Sequence, residues 1–443
     1  MSALPTPIGV DAGRPPTPKE IFAITAARET SLSRLLTVYI TTGLIFMLLP
    51  GTFLGVWNLL AISSHRAANS VSVGWVQAHG HAQIFGWIGT FILGIGFYSI
   101  PKLRRTGPLA LSAGWITWAL WTSGVSLRWV ASVYEWHWRA ALPISAALEL
   151  SAFLIFFRSV SGHRPQNSGK NRLEEWVIVV IAGTVGLRLT LVVNLASAVS
   201  LALYGRSPDL PHSFDQRFLV LQTWGFLVPF VWGFSAKWLP VFLGLRPTRS
   251  HAILAGVALN SAGTLAALQG WIASAVFLLL GGMILAVYAL RLFESADRPA
   301  KTRGVHPSFP VFIRLAYVWG IISALLAIWA ARSGNPPGIW GASRHALTVG
   351  FLATMVFAVG QRVLPAFSGL HLLFSTKFMF AALLLLAIGC LLRVASEILD
   401  YQGVVQSAWS WLPVSAVTEM AAVTVFAVNL LMTFTRRPHF TPG

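Results

Sequence analysis

Apolar stretches of about twenty residues recur from one end of this chain to the other, divided by short segments rich in Gly, Pro and charge. That length is what an α-helix needs to cross the hydrocarbon core of a bilayer. The pattern predicts twelve spans, at about 34–63, 72–100, 108–131, 138–158, 175–203, 215–238, 250–269, 271–291, 309–331, 343–364, 375–398 and 409–434. Residues 1–33 are polar and carry Pro5, Pro7, Pro15, Pro16 and Pro18, which predicts a tail with a short interfacial helix near Glu20–Ser31. The transmembrane domain then runs 34–438, and 439–443 form a second tail.

Composition agrees with an all-α integral membrane protein. Of the 443 residues only 10% are charged, against about 25% in a soluble protein. The formal net charge of +18 suggests nucleic acid at first sight. The cations do not form one patch, however. They alternate between loops: Lys102, Arg104 and Arg105, or Arg298, Lys301 and Arg303, lie on one side, and the opposite loops, such as Ser207–Asp215, are poor in them. Basic loops stay in the cytoplasm, so both termini are expected there, with the lipid bilayer as partner and no nucleic acid. The single cysteine, Cys390, rules out a disulfide within the chain. No GxxxxGK[ST], CxxC, CxxCH or HExxH motif is present, which disfavours nucleotide hydrolysis, covalent haem and zinc-protease chemistry.

The spans repeat. HAQIFGWIGTFILGIGFYSIP, beginning at His81, aligns without a gap with HALTVGFLATMVFAVGQRVLP, beginning at His345. His81/His345, Ala82/Ala346, Gly86/Gly350, Thr90/Thr354, Gly96/Gly360 and Pro101/Pro365 coincide. Helix 6 fits the frame with Gly225 and Pro240, and has Val220 in place of the histidine. PISAALE, ending at Glu149, matches PVSAVTE, ending at Glu419, and Gly124-x-x-x-Arg128 matches Gly389-x-x-x-Arg393. The unit is therefore four helices occurring three times, at about 34–158, 175–291 and 309–434. The middle copy lacks the His, Arg and Glu.

A histidine inside a span is rare and marks function by default. His81 and His345, at equal depth on equivalent helices, suit the coordination of one haem iron from both faces. Two interfacial histidines bonded to backbone are the structural alternative. Gly86, Gly89, Gly94 and Gly96 thin helix 2, as Gly350, Ala353, Ala358 and Gly360 thin helix 10; a flat cofactor needs such room, and so does close helix packing. His79 lies about 200° around the helix from His81. It reads as an outer-face polar residue or a second-site ligand, with an exchange of roles with His81 left open. Arg128 and Arg393 suit haem propionates or interface snorkelling. Glu149 and Glu419 suit proton relay or an ion pair, with Arg188 as the candidate partner.

Twelve helices in three arcs, with histidines on helices 2 and 10, resemble the catalytic subunit of the haem-copper oxidases and nitric-oxide reductases. That resemblance implies haem b between the two helices. Helix 10 here has only His345, helix 6 has no histidine, and helix 7 has only His251 at its start; a second haem, a copper-B centre and oxygen reduction are therefore not expected. The chain also resembles the NnrS family of bacterial membrane proteins. The segments that carry the likeness are His79-Gly80-His81, His345-Ala346-Leu347-Thr348-Val349-Gly350 and Arg362-Val363-Leu364-Pro365-Ala366-Phe367-Ser368-Gly369. The NnrS resemblance implies haem, copper by family alone, nitric oxide as the related small molecule, an electron donor, and the bacterial inner membrane. A twelve-helix secondary transporter is the competing reading, although such transporters commonly repeat as six plus six.

Overall fold

A computed structural model describes residues 17–104, 109–162, 173–334, 337–369 and 372–436. Tail residues 1–16 and 437–443 lie outside it. Among the described residues the regular structure is entirely helical, and twelve long helices follow in chain order. They are α1 (18–65), α2 (73–104), α3 (Leu111–Val133), α4 (Trp138–Ser161), α5 (Glu175–Tyr204), α6 (His212–Leu243), α7 (Ser250–Leu268), α8 (Ile272–Ala289), α9 (Phe309–Arg332), α10 (Pro337–Phe367), α11 (Thr376–Tyr401) and α12 (Trp411–Phe434). Eleven are long and apolar enough to cross a bilayer. The exception, α3, is diluted by Ser112, Thr117, Thr122, Ser123, Ser126, Arg128 and Ser132, and buries several of them against its neighbours.

The first helix begins well before the predicted span. Thr17 caps it: its hydroxyl accepts from the Glu20 backbone N–H, and Glu20 reaches back to the Thr17 backbone, a capping box with Pro18 at the first helical position. Residues 18–33, read from the sequence as tail with a short interfacial helix, are one continuous helix with the span.

The threefold repeat is visible in the packing. The third and fourth helices of each repeat form the tightest antiparallel pairs, α3 with α4, α7 with α8 and α11 with α12. Successive repeats join through α4–α5 and α8–α9, and α12 packs back on α1 to close the ring. The second helices, α2 and α10, are the most enclosed, with 72% of their apolar windows buried.

The repeat also appears in the backbone. A π-helical stretch begins at the residue after His81 in α2 (Ala82–Gly89), after Val220 in α6 (Leu221–Leu227) and after His345 in α10 (Ala346–Ala353). Thr90 and Thr354 each bond the carbonyl five residues back, those of Phe85 and Val349. Stretches of this kind are rare, and many lie at functional sites. Several glycines of α2 and α10 serve close packing, whereas a Cβ at Gly360 would meet only Leu364 of its own helix. A Cβ at Gly86 would meet Phe46, at Gly89 Trp121, at Gly94 Tyr39, at Gly96 Phe156 and at Gly350 Trp319. Neighbouring aromatic rings fill the room that a flat cofactor was expected to use.

Candidate functional site

Among the described residues, a cluster of buried polar groups surrounds the histidine in each repeat that kept it. In the first, His81 Nε2–H donates to Glu149 Oε1 at 2.8 Å, and Asn194 Nδ2 donates to Glu149 Oε2 at 3.2 Å. All three residues are buried. The His81 ring stacks on Phe85, with centroids 4.5 Å apart. Arg128, 4% exposed, sits in the electrostatic field of Glu149, Asp209 and Asp215. Gly124 lets α4 approach α3: a Cβ there would stand 2.8 Å from Glu149 Cγ.

The second cluster joins α10, α11 and α12 and faces α1 and α2. His345 Nδ1–H donates to Gly341 O at 2.9 Å and lies 3.1 Å from Glu397 Oε2. Glu397 Oε1 holds Arg393 Nη2 at 3.0 Å, an i,i+4 pair within α11. Arg393 is 7% exposed, yet its Nε and Nη1 have no partner. Glu419 Oε1 and both carboxylate oxygens of Asp400 are likewise buried and unpaired. From the other side, His79 Nδ1–H donates to Gly51 O at 2.8 Å, within the π stretch Met47–Phe53 of α1. Gly55 makes this approach feasible, since a Cβ there would lie 2.7 Å from His79 Cε1. His79 lies on the side of the bundle that holds His345 and Arg393.

The structure therefore sorts the sequence-derived residues differently from the expected His81/His345 pair. His81 points at Glu149 and uses its Nε2 there. His79, 200° around α2, points towards α1 and the His345 side. Arg393 belongs with His345, and Arg128 with His81. Arg188 lies exposed on α5, and the α5 residue that reaches Glu149 is Asn194. Sequence reasoning missed Glu397, Asp400 and Asn194. Each was readable as a polar residue inside an apolar run, and Glu397 also as the i,i+4 partner of Arg393.

Do these residues fit a haem? A metal-binding imidazole almost always donates its other ring N–H to a carbonyl or carboxylate, which fixes the ring. His79 and His345 both do so through Nδ1, and among the described residues no hydrogen bond reaches either Nε2. Two unpaired guanidinium donors on Arg393 match a carboxylate-bearing ligand. The set fits. Beyond the histidines the gap between the two helices is closed, with Trp87 on α2 edge-to-face with Phe357 on α10, centroids 6.0 Å apart. Copper has no comparable support: among the described residues no group of three His, Cys, Asp or Glu side chains is placed to hold a metal ion.

Fold and helix count define a multi-pass membrane protein with the architecture of the haem-copper oxidase catalytic subunit. The solved structure of a "heme-copper terminal oxidase dimer" matches over 91% of this chain and 84% of its own, with TM-score 0.66 and 12% identity. At that identity the likeness establishes the fold alone. The family model described as "Domain of unknown function (DUF8744)" matches residues 184–434, more than half of the chain, and the protein belongs to that family. The matched region holds His345, Arg393, Glu397 and Glu419, but not His79, His81, Arg128 or Glu149. Among curated protein sequences nothing matches.

Proposed function

We propose that this chain is a haem-binding protein of the bacterial inner membrane, with both termini in the cytoplasm. His345 of α10 and His79 of α2 are the proposed ligands of one haem b. The observation that carries the reading is the pair of imidazoles whose Nδ1–H groups are donated and whose Nε2 atoms are free. Arg393 would take a propionate through Nε and Nη1, and Glu397 would hold both Arg393 and His345 in place. A haem held by two imidazoles supplies one-electron transfer. The NnrS-like segments favour a role in the response to nitric oxide, with the electron donor a separate molecule. The oxidase in the matched structure supports the redox class, and the four-helix repeat leaves the transporter reading without its six-plus-six symmetry.

Absorption spectra of the purified protein, oxidised and reduced, test this. A six-coordinate, low-spin b-type spectrum is expected. His345→Ala and His79→Ala should each abolish it, and His81→Ala should preserve it. Loss of the spectrum in His81→Ala with retention in His79→Ala would restore the His81/His345 pair. A chain without haem would end the redox reading.

A further inference from the structure

On the face assigned to the cytoplasm, several loop charges are paired. Lys237 holds Glu174 at 2.7 Å, Arg246 holds Asp297 at 3.0 Å and Arg249 holds Glu294 at 2.7 Å. A cleft of about 400 Å³ beside these pairs is lined by charges that are not. It lies between the start of α5, the end of α6, the start of α7 and the segment 298–301. Among the described residues, the side chains of Arg298, Lys301 and Glu175, all in its lining, form no hydrogen bond or ion pair. The cleft has a fixed wall. The Asp297 and Arg298 N–H groups both donate to Gly244 O, at 3.0 and 3.2 Å, and the Lys301 N–H donates to Phe242 O at 2.8 Å. Gly244 has φ +69°, and a Cβ there would strike the Arg298 carbonyl, so glycine is what lets this segment dock on the end of α6.

The free charges carry both signs. Arg298 and Lys301 suit a phosphate, and Glu175 suits an ammonium group. Lys237 and Glu174, also in the lining, already neutralise each other. The cleft borders lipid as well. Val241 in its wall is 52% exposed, and beside its α5 wall Leu173 and Ile178 face outwards. Trp176 lines both this cleft and an apolar groove of about 570 Å³ between α2, α4, α5, α6 and α10. Next to Trp176 that groove is walled by Leu173, Val177 and Val180, and its edge is open to lipid at Phe157, Ile181 and Val185. A charged cleft at the cytoplasmic end of a bundle, joined to an apolar groove along it, matches the two halves of a phospholipid.

We propose that the cleft binds the headgroup of an amine-bearing phospholipid, phosphatidylethanolamine, with its phosphate on Arg298 and Lys301, its ammonium on Glu175 and an acyl chain passing Trp176 into the groove. An acidic headgroup satisfies the cations but brings no cation to Glu175, and a choline headgroup has no N–H to donate. The haem reading plays no part in this site. The test is native mass spectrometry of the purified, delipidated full-length protein titrated with short-chain phosphatidylethanolamine, phosphatidylcholine or phosphatidylglycerol. One phosphatidylethanolamine should be retained at about tenfold lower concentration than either of the others, the worth of one charge-assisted hydrogen bond. Glu175→Gln should erase the preference over phosphatidylcholine. Arg298→Ala with Lys301→Ala should weaken retention of all three lipids. These side chains are exposed, so the variants keep the fold. Equal retention of the three lipids by the unaltered protein, stronger retention of phosphatidylglycerol, or an amine preference that survives Glu175→Gln would overturn the assignment. Displacement by water-soluble phosphoethanolamine as readily as by excess lipid would overturn the lipid as occupant.

Discussion

The His81 and His345 clusters occupy equivalent places in repeats one and three, and they do opposite things with the same imidazole. Each has an Arg four residues after a glycine, a Ser-Ala pair, and a Glu packed on that glycine. A Cβ at Gly124 would strike Glu149 Cγ at 2.8 Å, and one at Gly389 would strike Glu419 Cγ at 2.6 Å. The difference is one position on the third helix. Four residues after Arg128 stands Ser132; four residues after Arg393 stands Glu397. Without a carboxylate at that point, His81 reaches across to Glu149 through Nε2, and both oxygens of Glu149 are bonded. With Glu397 in place, His345 is captured at Nδ1, Glu419 keeps an unpaired oxygen, and Nε2 is left free. A single added carboxylate separates a cluster in which both oxygens of Glu149 are bonded from one in which Glu419 Oε1 is left without a partner.

The strongest way to break the comparison is to erase that carboxylate. Glu397→Ser gives repeat three the residue of repeat one. It strips Arg393 of its buried partner, which should cost about 3–5 kcal/mol. Thermal unfolding in detergent reads the loss, and haem content should fall with it. Unchanged stability would show that Glu397 does not organise the site.

Glu149→Ala should cost less, about 1–3 kcal/mol, because it leaves the donors of His81 and Asn194 buried and unpaired. Denaturant unfolding measures it, and the haem spectrum should not move. If the spectrum does move, the His81 cluster is part of the site after all.

Gly124→Ala and Gly389→Ala should each destabilise by about 1–3 kcal/mol through overpacking, and by similar amounts. Unfolding of the two variants side by side checks whether the two helix pairs are as alike as their contacts indicate. The smallest effect belongs to Asn194→Ala, which removes one of two hydrogen bonds on Glu149. A loss of about 0.5–1.5 kcal/mol is expected by the same unfolding measurement, and no measurable loss would assign Glu149 to His81 alone.

Much of this was legible in the chain. The twelve helices, the four-helix unit and the register of His81 with Val220 and His345 follow from the spacing of apolar residues, glycines and prolines. The π stretches then began at the same three positions. Local pattern suffices there, because a helix in lipid must satisfy its own backbone and has few alternatives. The direction of each imidazole was not legible. Helical geometry separates His79 from His81 by about 200°, but it does not say which of the two faces α10. That depends on where the π stretch of α1 offers the Gly51 carbonyl, and on which helix packs against which face of α2.

The sequence by itself determined how many helices there are, where they repeat and which residues are too polar to lie in a membrane without purpose. The tertiary structure decided how those residues divide. It set His81 with Glu149 and Asn194, His345 with Glu397 and Arg393, and Arg188 outside both. The physical reason is that burial cost belongs to one residue and can be read along the chain, whereas its compensation belongs to a partner on another helix. Glu149 and Asn194 are 45 residues apart, and His345 and Glu397 are 52 apart. Only the packed bundle brings them within hydrogen-bonding distance.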